Sequence, residues 1–163
     1  MKLNLGCGND IRNDYLNIDV GHVNLPPNIF RSGDVTNLDW VAQDNSVDEI
    51  LALNILQYIE LPKVDSTFIN WTQKLKVGGS VKILVNDLYA YADMFVNKQM
   101  PIQQLVMALF GSQENQFLTK KNSIDRHTLI NKLIKMGFNI DNVKYENGLD
   151  LYVEATKERV VNV

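Results

Sequence analysis

Along the first half of the chain, hydrophobic and polar positions alternate in short blocks that end on or beside Gly, Asp or Asn. Lys2 to Leu5 is a brief, largely apolar extended stretch running into Gly6-Cys7-Gly8-Asn9-Asp10, so strand character gives way to turn chemistry in one step. Tyr15 to Val20 alternates as a strand and stops at Gly21, and Asn28 to Ser32 is a weaker third strand closed by Gly33-Asp34. Asp48 to Leu53 reads as a buried fourth strand, because it follows the turn-like Gln43-Asp44-Asn45-Ser46 and is too short for a free-standing helix. The period then changes. Between Pro62 and Lys76 the positions Val64, Phe68, Ile69, Trp71, Thr72 and Leu75 recur at helical spacing, which predicts a helix with one buried face, stopped by Gly78-Gly79.

Val81 to Val85 alternates as a fifth strand ending at Asn86-Asp87, where Asp87 is placed to cap a helix beginning Leu88-Tyr89-Ala90. A second apolar helical stretch runs from Pro101 to Phe110. The polar connection from Gly111 to Ser123 shows no clear element and is the segment expected to be most mobile. Asp125 to Met136 is helical, with Leu129, Ile130, Leu133 and Ile134 on one side and Gly137 at its end. Phe138 to Tyr145 and Leu149 to Thr156 read as strands joined by Asn147-Gly148, a strong hairpin signal. Strands alternating with helices, then a hairpin, predict an α/β fold on a mainly parallel mixed sheet. Ligands of such sheets gather at the carboxyl ends of the strands, where strand order reverses.

Length and composition narrow the classes. A chain of 163 residues holds one complete core, so residues 1–163 are read as a single domain. A hydrophobic share of 45% with 21% charged residues is that of a soluble globular protein. The formal net charge of -3 supplies no field for a polyanion, and no dense Lys/Arg stripe supplies one locally. Cys7 is the only cysteine, which excludes an intrachain disulfide and a thiolate cluster and points to the reducing cytoplasm. No apolar run approaches the roughly 20 residues that span a bilayer, and the N-terminus has no signal-peptide core, so no membrane partner is expected. Three aligned metal ligands are missing, and no metal is predicted.

The candidate chemistry lies at the strand ends. Glycines at 6 and 8 let the backbone approach a ligand closely, with amide N–H groups available to a carboxylate or ribose. Asp19 ends the second strand, where a carboxylate accepts two hydrogen bonds from ribose hydroxyls. It follows Gly8 too closely for a dinucleotide fingerprint, which expects an acid ~20 residues on, and Ile11 stands where the third glycine would be, so NAD is disfavoured. Asp34 ends the third strand, positioned to accept from an adenine amino group while the Val35 N–H faces a ring nitrogen.

In order along the chain, five segments carry a resemblance. They are Leu3-Asn4-Leu5-Gly6-Cys7-Gly8-Asn9, Leu16-Asn17-Ile18-Asp19, Gly33-Asp34-Val35, Asn45 to Ile50 followed by Leu53-Asn54-Ile55-Leu56, and Leu75 to Ser80. Together they resemble the class I S-adenosylmethionine-dependent methyltransferases, in particular a compact bacterial and phage-type group with a shortened first helix. The resemblance covers roughly residues 1 to 90 and continues more weakly to the closing hairpin. It implies a single-domain Rossmann-like fold with a seven-stranded, mainly parallel sheet and a C-terminal antiparallel hairpin. It also implies S-adenosylmethionine as cofactor, held by Leu5, Gly6, Cys7, Gly8, Asp19, Val20, Asp34, Val35, Leu53 and Asn54, with 98–124 a variable acceptor-side segment. The sequence departs from the group's pattern at Asn4, where many relatives are acidic. It departs again at Gln57-Tyr58, where they often carry Glu-His, and at Asn86, where they carry Pro.

Methyl transfer from a sulfonium needs an aligned nucleophile about 3–3.5 Å away, so positioning supplies much of the acceleration. A hydroxyl acceptor also needs a base, for which His22, His127 and Asp87 were the candidates, Asp87 being the best placed on topology. Tyr58, Tyr89 and Tyr91 are candidates to line an acceptor pocket. The sequence therefore predicts a methyltransferase acting on a small-molecule or glycan-type acceptor, with a homodimer possible. The alternative is a non-catalytic S-adenosylmethionine-binding or partner-binding protein. A nucleic-acid methyltransferase ranks behind both, and would have to use a local patch such as Lys120-Lys121.

Overall fold

A computed structural model describes residues 1–21 and 24–160. Seven strands, β1 (Lys2–Leu5), β2 (Leu16–Asp19), β3 (Phe30–Ser32), β4 (Val47–Leu53), β5 (Leu75–Asn86), β6 (Phe138–Glu146) and β7 (Asp150–Lys157), form one sheet in the order β3-β2-β1-β4-β5-β7-β6. The first five run parallel, and β7 lies antiparallel to both neighbours. Strand order reverses between β1 and β4, which fixes the switch point at their carboxyl ends. Asn147 and Gly148 both take positive φ, 52° and 74°, as a two-residue hairpin turn matched to strand twist requires.

Four α-helices, α1 (Val64–Lys74), α2 (Leu88–Val96), α3 (Ile102–Phe110) and α4 (Arg126–Lys135), all follow β4. Sheet residues of one parity, among them Ile50, Ala52, Ile83, Val85, Leu151 and Val153, are buried against Val64, Phe68 and Trp71 of α1 and Leu129 and Leu133 of α4. Burial of this kind is worth about 1.5–3 kcal/mol per large side chain and fixes one face of the sheet. The opposite face carries charged side chains beside the buried Leu51. Lys82 on β5 bridges Glu49 on β4 at 3.0 Å and Glu154 on β7 at 3.5 Å, and Tyr15 donates its hydroxyl to Glu49. Charges at these positions need water, so the sequence itself specifies a sheet covered by helices on one side.

The first helix ends earlier than the glycines suggest. Leu75 already has extended backbone, and β5 runs straight through Gly78-Gly79. The pairing register with β4 slips between Val47 and Glu49, and Gly78 takes φ +81°, so the two glycines mark an irregularity inside the strand and not a helix stop.

Parallel neighbours usually need a helical crossover of a dozen or more residues. Among the described residues none stands between β1 and β2 or between β2 and β3. The β1–β2 connection is instead held by two buried asparagines. Asn4 donates to the Asp10 carbonyl at 2.7 Å and to Asn17 Oδ1 at 3.0 Å. Asn17, fully buried, accepts from the Arg12 N–H and donates toward the carbonyls of Arg12, Tyr15 and Ile29. Side-chain amides thus take the backbone groups that a helix would have paired within itself.

Candidate functional site

At the switch point lies a cleft of about 430 Å³, bordered by Gly6, Gly8, Asp19, Val20, Asp34, Val35 and Asn54. Seven of the ten residues predicted from sequence to hold a cofactor thus meet at one opening. Gly6 has φ +63°, and a Cβ there would stand 2.5 Å from the Ile55 side chain, so both backbone and packing demand glycine. Gly8, at φ +49°, has open space where its side chain would be.

The amides of this turn are directed inward, contrary to the sequence reading. Gly6 and Cys7 both donate to the Ile18 carbonyl, at 2.8 and 3.2 Å, and Gly8 donates to Asp19 Oδ2 at 2.9 Å. What the turn offers a ligand is a close-approach surface and a fixed Asp19. That carboxylate also accepts from the Gly21 N–H at 2.9 Å, which leaves about two of its roughly four lone-pair directions for a diol.

The third strand end is set by two tryptophans. Trp71, on α1 and 1% exposed, donates its indole N–H to the Val35 carbonyl at 2.7 Å. Trp40 donates to the Asp34 carbonyl at 3.1 Å, and its ring sits where a Cβ on Gly33 would come within 2.2 Å. Gly33-Asp34-Val35 is therefore clamped between two indoles, and Asp34 Oδ1 accepts from the Thr36 N–H at 2.8 Å. Asn54 closes the fourth strand in the left-handed region, φ +59°, with its N–H on the Leu84 carbonyl. Such a conformation is tolerated by asparagine and is typical of strand ends that carry function.

Leu5, Cys7 and Leu53 do not border the cleft. Leu5 and Cys7 are buried behind the turn, and Leu53 is half-buried in β4. Burial pushes the Cys7 thiol up to about 11, with the Asp19 carboxylate adding to the shift. Asn4, read as a weakened contact to a ligand amino group, is only 2% exposed and committed to the β1–β2 connection.

Other wall residues lie outside the ten predicted cofactor contacts, Tyr58 among them as a candidate for an acceptor pocket. Ile55, Tyr58 and Ile59 come from the turn after β4, followed by Glu60 and Lys63 at the entrance to α1, an ion pair at 2.7 Å. The opposite wall is Gln116, Phe117, Leu118 and Lys121 from the connection after α3, so part of the 98–124 segment borders this cleft. That connection is tied down. Lys121 and Asn122 donate backbone N–H groups to the Gln57 carbonyl, and Asn122 Nδ2 donates to the carbonyls of Leu56 and Ile59 at 2.7 and 2.5 Å. The Lys120 ammonium reaches the Ala108 carbonyl at 2.9 Å and Asn86 Oδ1, and its burial lowers its pKa. Lys121 lies 3.6 Å from Glu60. Both lysines are engaged within the chain and form no free basic patch.

Asp87 is not in the cleft. It caps α2 by accepting from the Tyr89 N–H at 3.0 Å, and it accepts the Tyr145 hydroxyl at 2.5 Å. It borders a separate cavity of about 800 Å³ with Tyr89, His127 and Tyr145. Of the three candidate tyrosines, only Tyr58 reaches the switch-point cleft. Tyr91 donates to Asp150 at 3.0 Å, beside Asn86. His22 lies outside the described residues. Gln57 is 3% exposed, with a side-chain carbonyl that has no partner. Among the described residues no three His, Cys, Asp or Glu side chains converge as metal ligands.

No protein-family model matches the sequence, and a search of curated proteins finds no match. The fold has many solved counterparts. A SAM-dependent methyltransferase from Methanosarcina mazei superposes with TM-score 0.66 at 16% identity, over 96% of this chain and 91% of that one. An S-adenosylmethionine-dependent methyltransferase from Mesorhizobium loti gives 0.64 at 16%, over 95% and 89%. The 1,6-didemethyltoxoflavin-N1-methyltransferase of Burkholderia thailandensis, solved with that substrate and S-adenosylhomocysteine, gives 0.62 at 15%, over 97% and 71%. The chain thus has the α/β Rossmann-like fold of class I methyltransferases, with its seven-stranded mixed sheet. At these identities the likeness is one of fold.

Proposed function

We propose that this protein is an S-adenosylmethionine-dependent methyltransferase for a small-molecule or glycan-type acceptor, working in the cytoplasm with residues 1–163 as one unit. One observation carries the proposal: the Gly8–Asp19 hydrogen bond joins the glycine turn to the ribose-side carboxylate at the switch point, with Asp34 and Asn54 on the same cleft. The cleft fits the cofactor's chemistry. Asp19 keeps lone pairs for the ribose hydroxyls, the space over Gly8 is open, and the clamped Asp34-Val35 turn presents an acceptor and an amide for adenine. Its volume is within the range of small-molecule sites.

When bound, the cofactor supplies an electrophilic methyl group. The chain's own contribution is to position and enclose. Ile55, Tyr58, Phe117 and Leu118 give the cleft apolar walls, and Asn54, held at positive φ, fixes the end of β4. An acceptor of small size is supported by the engagement of Lys120 and Lys121 inside the chain, which takes up the lysine pair that a nucleic-acid backbone would have used.

Titration calorimetry with S-adenosylhomocysteine tests the cofactor site. Saturable binding is expected, weakened by Asp19→Ala and by Asp34→Ala; no heat at millimolar ligand overturns the proposal. A second reading, cofactor binding without transfer, is favoured by Gln57, whose buried side-chain carbonyl has no partner and which stands where the resembled group often carries an ionisable residue. It predicts the same titration with no methyl transferred to any acceptor in a screen with radiolabelled donor.

A further inference from the structure

The α2–α3 pair is built unlike the rest of the helical layer. Neither helix has a single buried residue, whereas α1 and α4 each bury side chains in the core. Phe95, Val96, Ile102, Val106, Met107 and Phe110 are between 37% and 75% exposed on this pair. With roughly 150–250 Å² for each of the two phenylalanines and less for the four aliphatic side chains, half-exposure of the six leaves on the order of 300–600 Å² of apolar surface in water. That is the size of the largest patch of an ordinary monomer, about 300–600 Å². It also matches what a homodimer interface uses, roughly 65% apolar area in about 800 Å² per partner.

The chemistry of the patch selects its occupant. α3, Ile102–Phe110, has no charged residue, and its only polar side chains are Gln103 and Gln104. From Leu88 to Leu118 the only charges are Asp93, Lys98 and Glu114, so the surface has neither the basic rim of a lipid-binding helix nor a field for a charged partner. A neutral apolar stripe is complementary to itself. Ile102, Val106 and Phe110 stand at i, i+4 and i+8, one face of the helix. Antiparallel pairing about a twofold axis at Val106 then sets Ile102 of one copy against Phe110 of the other, with no charge buried.

We infer that α2 and α3 form a self-association surface, and that the protein is a twofold dimer in which α3 packs antiparallel against α3 of a second copy, Val106 on the axis. The pairing would sit beside the connection that borders the cleft, because Lys120 ties that connection to the carbonyls of Ala108 and Phe110.

Sedimentation equilibrium of the full chain should show a monomer–dimer equilibrium, and Val106→Glu should raise its dissociation constant at least tenfold while circular dichroism and melting remain those of a folded chain. Val106→Cys should give a disulfide-linked dimer under mild oxidation, because Cys7 is buried and leaves the introduced thiol as the reactive one. Val77→Cys, more exposed but on β5, should not cross-link. A chain that is monomeric at high concentration without the Val106→Cys cross-link overturns the inference. So does a dimer indifferent to Val106→Glu, an assembly larger than a dimer, or a monomer that binds vesicles of neutral or anionic lipid. Calorimetry with S-adenosylhomocysteine on the Val106→Glu monomer separates this result from the fate of the cofactor site.

Discussion

The two halves of the sheet reach the same architecture by different means. From β4 to β6, connections are helical and α1 and α4 bury apolar side chains; from β1 up to β4, connections carry no α-helix among the described residues and are pinned by side-chain amides and tryptophan N–H groups. The candidate site lies where these halves meet, and seven of its ten predicted residues come from the helix-free half before Val35. A strand end fixed by buried hydrogen bonds holds its carboxylate in one place without a helix packed over it. The cost is sensitivity: one polar side chain in this half holds several backbone groups, whereas each apolar side chain in the other half is one contributor among many.

The largest test of that contrast is Asn17→Ala. It leaves the Arg12 N–H and the Tyr15 carbonyl without that partner in a part-buried place and takes one of two partners from Asn4 and from the Arg12 and Ile29 carbonyls, and at about 1–3 kcal/mol per orphaned group the loss should reach about 2–4 kcal/mol. Ile83→Val, equally buried in the other half, should cost only about 0.5–1.5 kcal/mol. Urea denaturation of both variants gives the ratio, and comparable losses would abolish the distinction. Next in size is Trp71→Phe, which keeps an aromatic ring against Phe68 but removes the N–H that reaches Val35 from across the molecule. About 1–3 kcal/mol of stability should go, together with a several-fold weaker affinity for S-adenosylhomocysteine; intact affinity would mean that the clamp supports folding alone.

Much of this was legible in the sequence. Periodicity located all seven strands and all four helices, and Gly6, Asp19 and Asp34, each a common strand-end residue alone, marked the site through their order along the chain. Periodicity says nothing about which direction an amide points, so the inward N–H groups of Gly6-Cys7-Gly8 were not foreseeable, nor was the role of Asn4 in holding a loop. Gly78-Gly79 misled because two glycines after a helical pattern signal a stop, whereas here they sit at a register slip that only the neighbouring strand reveals. Asp87 was read both as the cap of the helix that follows and as a strand-end base. It caps a helix and pairs with Tyr145 from β6, a partner 58 residues away that no local pattern links to it.

A smaller effect is expected at the start of α4, in the helical half. Asp125 caps it by accepting from the Thr128 N–H at 2.9 Å, and that bond holds the carboxyl below its usual range. Because the folded value is depressed, the stabilisation is present above the unfolded carboxylate pKa, about 4, and is lost as pH falls through the lower folded value. Asp125→Ala should cost about 1 kcal/mol at pH 7, and the difference from the parent chain should shrink toward zero in acid. A difference that is flat with pH would mean the carboxylate is not what caps the helix.

The finest test alters no contact. Cys7 is buried in the glycine turn with its thiol held at about 11. At pH 8 the thiolate is then about 200-fold scarcer than for a free cysteine, and modification by a disulfide reagent should slow in proportion. Fast reaction with the folded chain would contradict the burial. Adding urea turns the same thiol into a reporter on the helix-free half. If that half depends on a few side-chain bonds while β4 to β7 depend on a shared apolar core, the turn opens locally before the sheet unfolds, and Cys7 reactivity should rise at urea concentrations below the midpoint seen by tryptophan fluorescence or circular dichroism. S-adenosylhomocysteine should delay that rise, because a ligand bridging Gly8, Asp19 and Asp34 stabilises only the closed turn. Reactivity that follows global unfolding, with or without ligand, would show the two halves to be one cooperative unit despite their different construction.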